Sequence, residues 1–337
     1  MTYEARESLL NAGCRVHSNS DVEWARKIMN AKENLLKAIH FDDPQYVPRA
    51  NEDVGVGFQL EGNFRFATWT DLWGVRWVTM RSDMVPFPKG NPLLSLEHID
   101  DYVFPDPDSL QLTDGIKEFL GKVDREEHLV FGGLTYFMFE RAWALMGMNN
   151  FLKSFFTHPK EMKQLLHRIA DFDVRVFERY LELGVDGVNL SEDLGHQGGL
   201  MVSPRLFREF FIPEYRRCFE PLVKEERIID FHSCGRVQDV VEDLASLGVT
   251  ILNPVQARAN DLPLMKRKSL GRIALSGGVD SHLLMLGPVT KIEEEVERVM
   301  TILAPGGGYI VGPDQSMPFP PENVEALWRK AIALGRY

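Results

Sequence analysis

The sequence predicts an α/β protein, a (β/α)8 TIM barrel with extra N-terminal helices. Three observations predict it. From about residue 128 onward, short apolar runs alternate with amphipathic helical stretches, the pattern of a parallel sheet. The chain has no G-x-G-x-x-G, the turn an open dinucleotide-binding sheet would usually carry. Each apolar run ends in polar or small residues, where a β/α barrel builds its active site.

Residues 1–40 read as helical, because Trp24, Ile28, Leu35, Leu36 and Ile39 recur at spacings of three and four. The segment Phe41-Asp-Asp-Pro-Gln-Tyr-Val-Pro48 breaks that helix. The domain expectation is therefore a helical extension over 1–45, packed on a barrel over 46–337. Residues 54–80 read as β-rich, with Val54, Val56 and Phe58 alternating and tryptophans from Trp69 to Trp77. The proline-rich stretch 84–114 reads as a long loop over one face. Strand candidates follow at Leu129–Phe131, Gly187–Leu190, Ile228–Phe231, Val249–Leu252, Ile273–Leu275 and Tyr309–Val311. Between them fall helix candidates such as Pro159–Leu183, Pro204–Glu220, Val237–Leu247 and Lys291–Leu303. The segment Phe131 to Met148, rich in aromatics and Met, reads as core, with an aromatic pocket wall as the alternative.

Composition narrows the function classes. The chain has 337 residues, 44% hydrophobic and 26% charged, enough for a large core without disulfides. With 38 basic and 49 acidic residues its net charge is −11, which argues against nucleic acid or an anionic membrane as the main partner. No apolar run approaches the ~20 residues of a membrane span. Met1 to Asn11 is polar, unlike a signal peptide. Cys14, Cys218 and Cys234 cannot make a disulfide framework, so a reduced, cytoplasmic setting is expected. Oligomeric state is open, with a homodimer among the options.

The sharpest local pattern is Phe231-His232-Ser233-Cys234-Gly235. Side chains alternate along a strand, so Asp230, His232 and Cys234 share one face while Ile229 and Phe231 take the other. An imidazole and a thiol two residues apart can reach one Zn²⁺; a core histidine beside an inert cysteine is the alternative. Neighbouring strand ends offer carboxylates. Asp193 is in phase with Asn189 and Ser191, Glu192 is one step out of phase, and Asp314 is in phase with Ile310 and Gly312 on the last strand. Each could complete a metal shell, act as a base, or simply cap a turn. Tyr136, His196, Asn253, Gln256 and Ser276 fall at expected mouth positions and could orient a substrate. Asp71, among aromatics in Trp69-Thr-Asp-Leu-Trp-Gly74, could bind substrate or pair with Arg76.

With these residues in place, the chain resembles the uroporphyrinogen decarboxylase superfamily, especially its methyltransferase-like branch, over Asn34 to Tyr337. The resemblance rests on Pro44-Gln-Tyr-Val-Pro48, Trp69 to Gly74, Leu183-Gly-Val-Asp-Gly187, Glu192-Asp-Leu-Gly195, Ser203-Pro204 with Pro213, His232-Ser-Cys-Gly235, Gly248 to Gln256 and Pro321-Glu-Asn-Val324. It implies a barrel with its cleft at the strand C-termini. It further implies a zinc held by His232 and Cys234, with a later Cys as third ligand near Pro313-Asp314. This chain has no Cys after Cys234. Glu192 is then the leading third candidate, ahead of Asp193 and Asp314. A zinc without the second thiolate is a harder Lewis acid, suited to an ether oxygen or phenolate as well as a thiol.

The function expected from the resemblance is methyl transfer between a small methylated substrate, such as a methoxylated aromatic, and a separate corrinoid protein. Asp193 and Tyr136 would be catalytic. Asp71, His196, Asn253, Gln256 and Ser276 would be substrate-facing. Asp280-Ser-His-Leu-Leu-Met285 resembles a cobalt-ligating D-x-H-x-x-G loop, but Met285 replaces the glycine, so a partner must present the corrinoid. Pro305-Gly-Gly-Gly308 lacks the Lys-Ser/Thr of a phosphate loop, and no G-x-S-x-G elbow is present. One rival is a metal-free decarboxylase, which needs arginines at the mouth, from Arg49, Arg65, Arg76 and Arg81. The decarboxylase branch's Met-Arg-Gln-Ala-Gly-Arg-like run has no counterpart in Val47 to Glu61. The other rival is a non-catalytic binding protein on the same barrel.

Overall fold

The computed structural model describes residues 29–60, 68–80 and 86–336. At its centre is a parallel sheet of seven strands that neighbour one another in chain order. They are β1 (Gly55–Phe58), β2 (Leu129–Leu134), β3 (Gly187–Ser191), β4 (Ile228–His232), β5 (Ile251–Val255), β6 (Ala274–Val279) and β7 (Tyr309–Pro313). The segment before β1 joins the two edges. Arg49 bridges Val311 in parallel. The Ala50 N–H donates to Val311 O, and the Val311 N–H donates to Pro48 O, both at 2.9 Å. Residues 48–50 thus pair with β7, while β1 pairs with β2. One interrupted segment serves both neighbours, and the sheet closes into a TIM-type barrel. Among the described residues the sheet has seven strands where eight were expected, because this segment fills the closing position alone.

Alternation along the strands sorts the two faces. Outward residues such as Val130, Val188, Ile229, Phe231, Leu252 and Leu275 join the main core with the surrounding helices. Inward, Leu129, Phe131, Ile228, Ile251, Ala274 and Ile310 form a separate apolar cluster near the strands' N-terminal ends. The helix Ala31–Ile39 packs Leu35, Leu36 and Ile39 against it. Its buried Asn34 holds the following turn, with Oδ1 accepting from Gln45 N (2.8 Å) and Nδ2 donating to Tyr46 O (2.9 Å). The helix Ala31–Ile39 thus forms a plug on the barrel floor; residues 1–28 of the helical expectation lie outside the described residues. Two positions farther along the same strand faces come Asn189, Asp230, Asn253 and Ser276. The barrel interior is thus apolar at the floor and polar above it.

Between β1 and β2, Trp69–Thr70, Arg76–Val78 and Phe87–Gly90 form a small antiparallel sheet. The stretch expected as one long loop contains its third strand and two short 3-10 turns, Leu96–Asp101 and Pro107–Ser109. Arg179, on the helix Pro159–Glu182, pins it by donating to Pro107 O (2.6 Å) and Leu110 O (2.5 Å). Phe137, Met138, Phe139, Leu145 and Met146 are fully buried, so the aromatic and Met-rich part of this segment is core, while Leu134 and Thr135 line the barrel cavity. Among the described residues no helix is long and apolar enough to cross a membrane.

Candidate active site

The loop leaving β4 builds the site. The Ser233 N–H donates to Asn253 O at 2.7 Å, and its hydroxyl accepts from Leu194 N at 3.0 Å. Gly235 sits at φ +81°, and a Cβ there would lie 2.4–2.6 Å from the backbone of Gly195 and His196. Only glycine lets the two mouth loops pass this closely. The Asp193 carboxylate accepts from Cys234 N at 2.8 Å. These contacts bring one ligand atom each from Asp193, His232 and Cys234 within 4.8 Å of one another. His232 Nε2 stands 3.4 Å from Cys234 Sγ and 3.6 Å from Asp193 Oδ1. Gln315, beyond β7, donates from Nε2 to Cys234 Sγ at 3.1 Å.

Below this trio the barrel interior holds a cavity of about 290 Å³ lined by Gln59, Thr135, Asn189, Asp230, His232 and Asn253, among others. Asp230 accepts from Asn189 Nδ2 (2.6 Å) and from Asn253 Nδ2. Burial pushes its carboxyl up to about 7, against the opposing effect of the two amides. Burial also raises the Cys234 thiol to about 12, with the Asp193 charge adding to it. Glu140, buried behind β3, accepts from the Ser191 hydroxyl at 3.0 Å. Burial and then Asp193 raise it to about 7.

Several predicted residues take other places. Glu192, the leading third ligand in the sequence, is fully buried and points away from the trio. Its carboxylate caps the helix Met138–Met146, accepting from Phe139 N (2.5 Å) and Glu140 N (3.0 Å), and from the Tyr215 hydroxyl. Its out-of-phase position sends it to the helix layer, and Asp193 takes the inward place. Asp314 is corrected for a different reason: although in phase with Ile310, it is taken up by loop backbone. Its two oxygens accept from Ser281 N (2.9 Å) and Ala257 N (3.3 Å), pinning two loops together.

Asp71 accepts from Trp73 N and Val75 N through Oδ1, and from Trp77 Nε1 (2.8 Å) and Arg141 Nη1 (2.7 Å) through Oδ2. That full set makes it a structural hub, and its cationic partner is Arg141 rather than Arg76. Tyr136, at φ +56°, stacks on Trp77 with ring centroids 4.2 Å apart. His196 is exposed on the hairpin pairing Gly195–His196 with Gly199–Leu200, its Nδ1 accepting from Gly198 N. Gln256 Oε1 accepts from Gly235 N and Gln197 Nε2, both at 3.0 Å, and so steadies the Cys234 loop. Ser276 is in phase with Ala274 and sits opposite Ile310. Asn253 lines the cavity and meets His232.

Sequence reasoning passed over Gln315, Glu140 and Gln59. Gln315 had a usable signal, the polar end of the last strand. Of the arginines a decarboxylase would need, Arg49 pairs with Glu52 at 2.7 Å and Arg76 is exposed on the small sheet. Arg65 and Arg81 lie outside the described residues.

Comparison with solved structures gives a methyltransferase from Methanosarcina mazei at TM-score 0.66 and 18% identity, covering 90% of this chain and 99% of that one. A B12-independent methionine synthase from Shewanella sp. W3-18-1 in complex with selenomethionine aligns over 61% of each chain, at TM-score 0.42 and 12% identity. No curated protein sequence matches. The first of these likenesses establishes the shared barrel fold. The family profile described as uroporphyrinogen decarboxylase (URO-D) matches residues 74–333, most of the chain, and the protein therefore belongs to that family.

Proposed function

We propose that the protein is a methyltransferase that moves a methyl group between a small methylated substrate and a separate corrinoid protein, using a zinc ion held by Asp193, His232 and Cys234. The observation that carries the reading is the convergence of these three side chains at the barrel mouth. Their donor set, one N, one S and one O, suits zinc and leaves a fourth position for substrate. Ligand atoms ~2.1–2.3 Å from a tetrahedral zinc stand roughly 3.4–3.7 Å from one another. The two separations from His232 Nε2, 3.4 and 3.6 Å, fit that requirement, and all three atoms lie within 4.8 Å of one another. Bound there, zinc would supply Lewis acidity toward a thiol or ether oxygen.

The chain's own residues supply the rest. Asp193 places the Cys234 backbone through its 2.8 Å hydrogen bond, and Gln315 orients the thiol. The polar wall of Gln59, Thr135, Asn189 and Asn253 would hold the substrate's polar groups above the apolar floor. The shared fold with a methyltransferase supports the reaction class, and the URO-D family accommodates it.

The test is elemental analysis of the purified protein beside His232→Ala, Cys234→Ala and Asp193→Ala. About one zinc per chain, weakened or lost in each variant, is expected. Methyl transfer to cobalt(I) corrinoid should follow with some member of a panel of methoxylated aromatics and methyl thiols, and fail in the variants. A parent that neither contains zinc nor takes it up refutes the metal-assisted reading.

A further inference from the structure

The wall of the cavity contains a directed chain of hydrogen bonds that ends on His232. Asp230 is acceptor on both oxygens, from Asn189 Nδ2 at 2.6 Å and from Asn253 Nδ2. With its NH₂ group given to Asp230, Asn253 can only turn its carbonyl oxygen toward His232. That oxygen lies 3.0 Å from His232 Nδ1. A carbonyl has no proton to give, so the imidazole must donate from Nδ1. The neutral ring carries one proton, so Nε2 is left with its lone pair.

On the other side of the ring, Gln315 Nε2 donates to Cys234 Sγ at 3.1 Å, and the sulfur lies 3.4 Å from His232 Nε2; because the thiol also hydrogen-bonds the Asp193 carboxylate, this contact follows the tautomer and does not decide it. Asp193 Oδ1 would favour the opposite tautomer if it accepted from Nε2. It stands 3.6 Å away, outside hydrogen-bond reach, and already accepts from Cys234 N at 2.8 Å. The 3.0 Å contact at Nδ1 therefore decides.

We infer that Asp230 and Asn253 are positioning residues that hold His232 as its Nδ1–H tautomer, with the Nε2 lone pair aimed at Asp193 and Cys234. The consequence for metal binding rests on the zinc reading above; the tautomer itself does not. Asp230 accepts its hydrogen bonds from Asn189 and Asn253 and acts on His232 through the Asn253 amide. In water a free imidazole favours the other tautomer, so without the relay the ring must surrender its Nε2 proton before a cation can bind there.

Two variants break the chain differently. Asn253→Leu keeps the bulk and removes the amide. Asp230→Asn keeps the shape and removes the fixed acceptor, freeing Asn253 to turn over. Long-range ¹H–¹⁵N correlation spectra of metal-free protein, above the imidazole's titration range, read the tautomer directly. The parent should show a protonated Nδ1 and a pyridine-type Nε2. Both variants should shift toward Nε2–H while keeping the parent's circular dichroism. Competition between Zn²⁺ alone and a chelating dye should show affinity falling roughly 10–100-fold in both, with a larger loss in His232→Ala. A parent showing Nε2–H, or variants retaining the parent's ¹⁵N pattern, overturns the inference. The expected tautomer in a parent that does not bind Zn²⁺, or binds it as well after His232→Ala, upholds the relay and refutes the zinc reading instead.

Discussion

Asp71→Ala separates a structural hub from a substrate anchor. The substitution removes the acceptor for the Arg141 guanidinium (2.7 Å), the Trp77 indole (2.8 Å) and the N–H groups of Trp73 (3.0 Å) and Val75 (2.9 Å). The side chains of Arg141 and Asp71 are 5% and 15% exposed, so solvent cannot take over the role. Removing one partner of such a buried pair costs about 3–5 kcal/mol, whereas an exposed pair is worth under about 1 kcal/mol. At roughly 2.1 cal/mol/K per residue, unfolding 337 residues has an entropy near 0.7 kcal/mol/K. The expected fall in Tm is therefore about 4–7 °C. Differential scanning calorimetry of the parent, Asp71→Ala, Arg141→Met and the double variant measures it. The double variant should lose much less than the sum of the singles, because each alone strands a buried group. A Tm within about 1 °C of the parent, or losses that add within roughly 0.5 kcal/mol, would refute the argument.

Glu140 gives a pH-dependent prediction. Its folded pKa is raised from 4.5 to about 7, so the stability it contributes is present below its unfolded pKa and lost as pH rises through about 7. Glu140→Gln should match the parent at pH 4 and exceed it in Tm at pH 8; a difference that does not grow with pH contradicts this. At Cys234, where burial and then the Asp193 charge hold the thiol near 12, Asp193→Asn should lower that value. Alkylation of Cys234 in metal-free protein, followed by peptide mass spectrometry at pH 8, should then run faster than in the parent, and an equal or slower rate would count against the electrostatic account.

The barrel was legible because its signals are local. Runs such as Ile228–Phe231 and Tyr309–Val311 fall inside β4 and β7, and their polar ends mark the mouth. Alternation also placed Asp230 and His232 correctly on the inner face. It held the answer to the third member of the trio as well, since Asp193 is in phase with Ser191 and Glu192 is not. Glu192's destination was not legible. Its partners, Phe139 and Glu140, are 53 and 52 residues away in the chain, and only the packing of a helix N-terminus against β3 brings them together. Asp71 failed for the same reason, since Arg141 is 70 residues distant while Arg76 is near in sequence. The closure of the barrel was not legible, because residues 48–50 carry no apolar alternation; they pair with β7 through backbone groups alone.

The plug formed by Ala31–Ile39 and the apolar layer above it seals one end of the barrel. Among the described residues the polar cavity is therefore closed at its floor, and a small molecule would reach it from the mouth side. A protein-sized partner seated over the mouth would lock a small molecule in, or keep it out. If the proposed methyl transfer joins the two, the small molecule would load first and its product would leave after the partner does. In steady-state terms that would be compulsory-order binding, with excess partner inhibiting by capping the empty cavity.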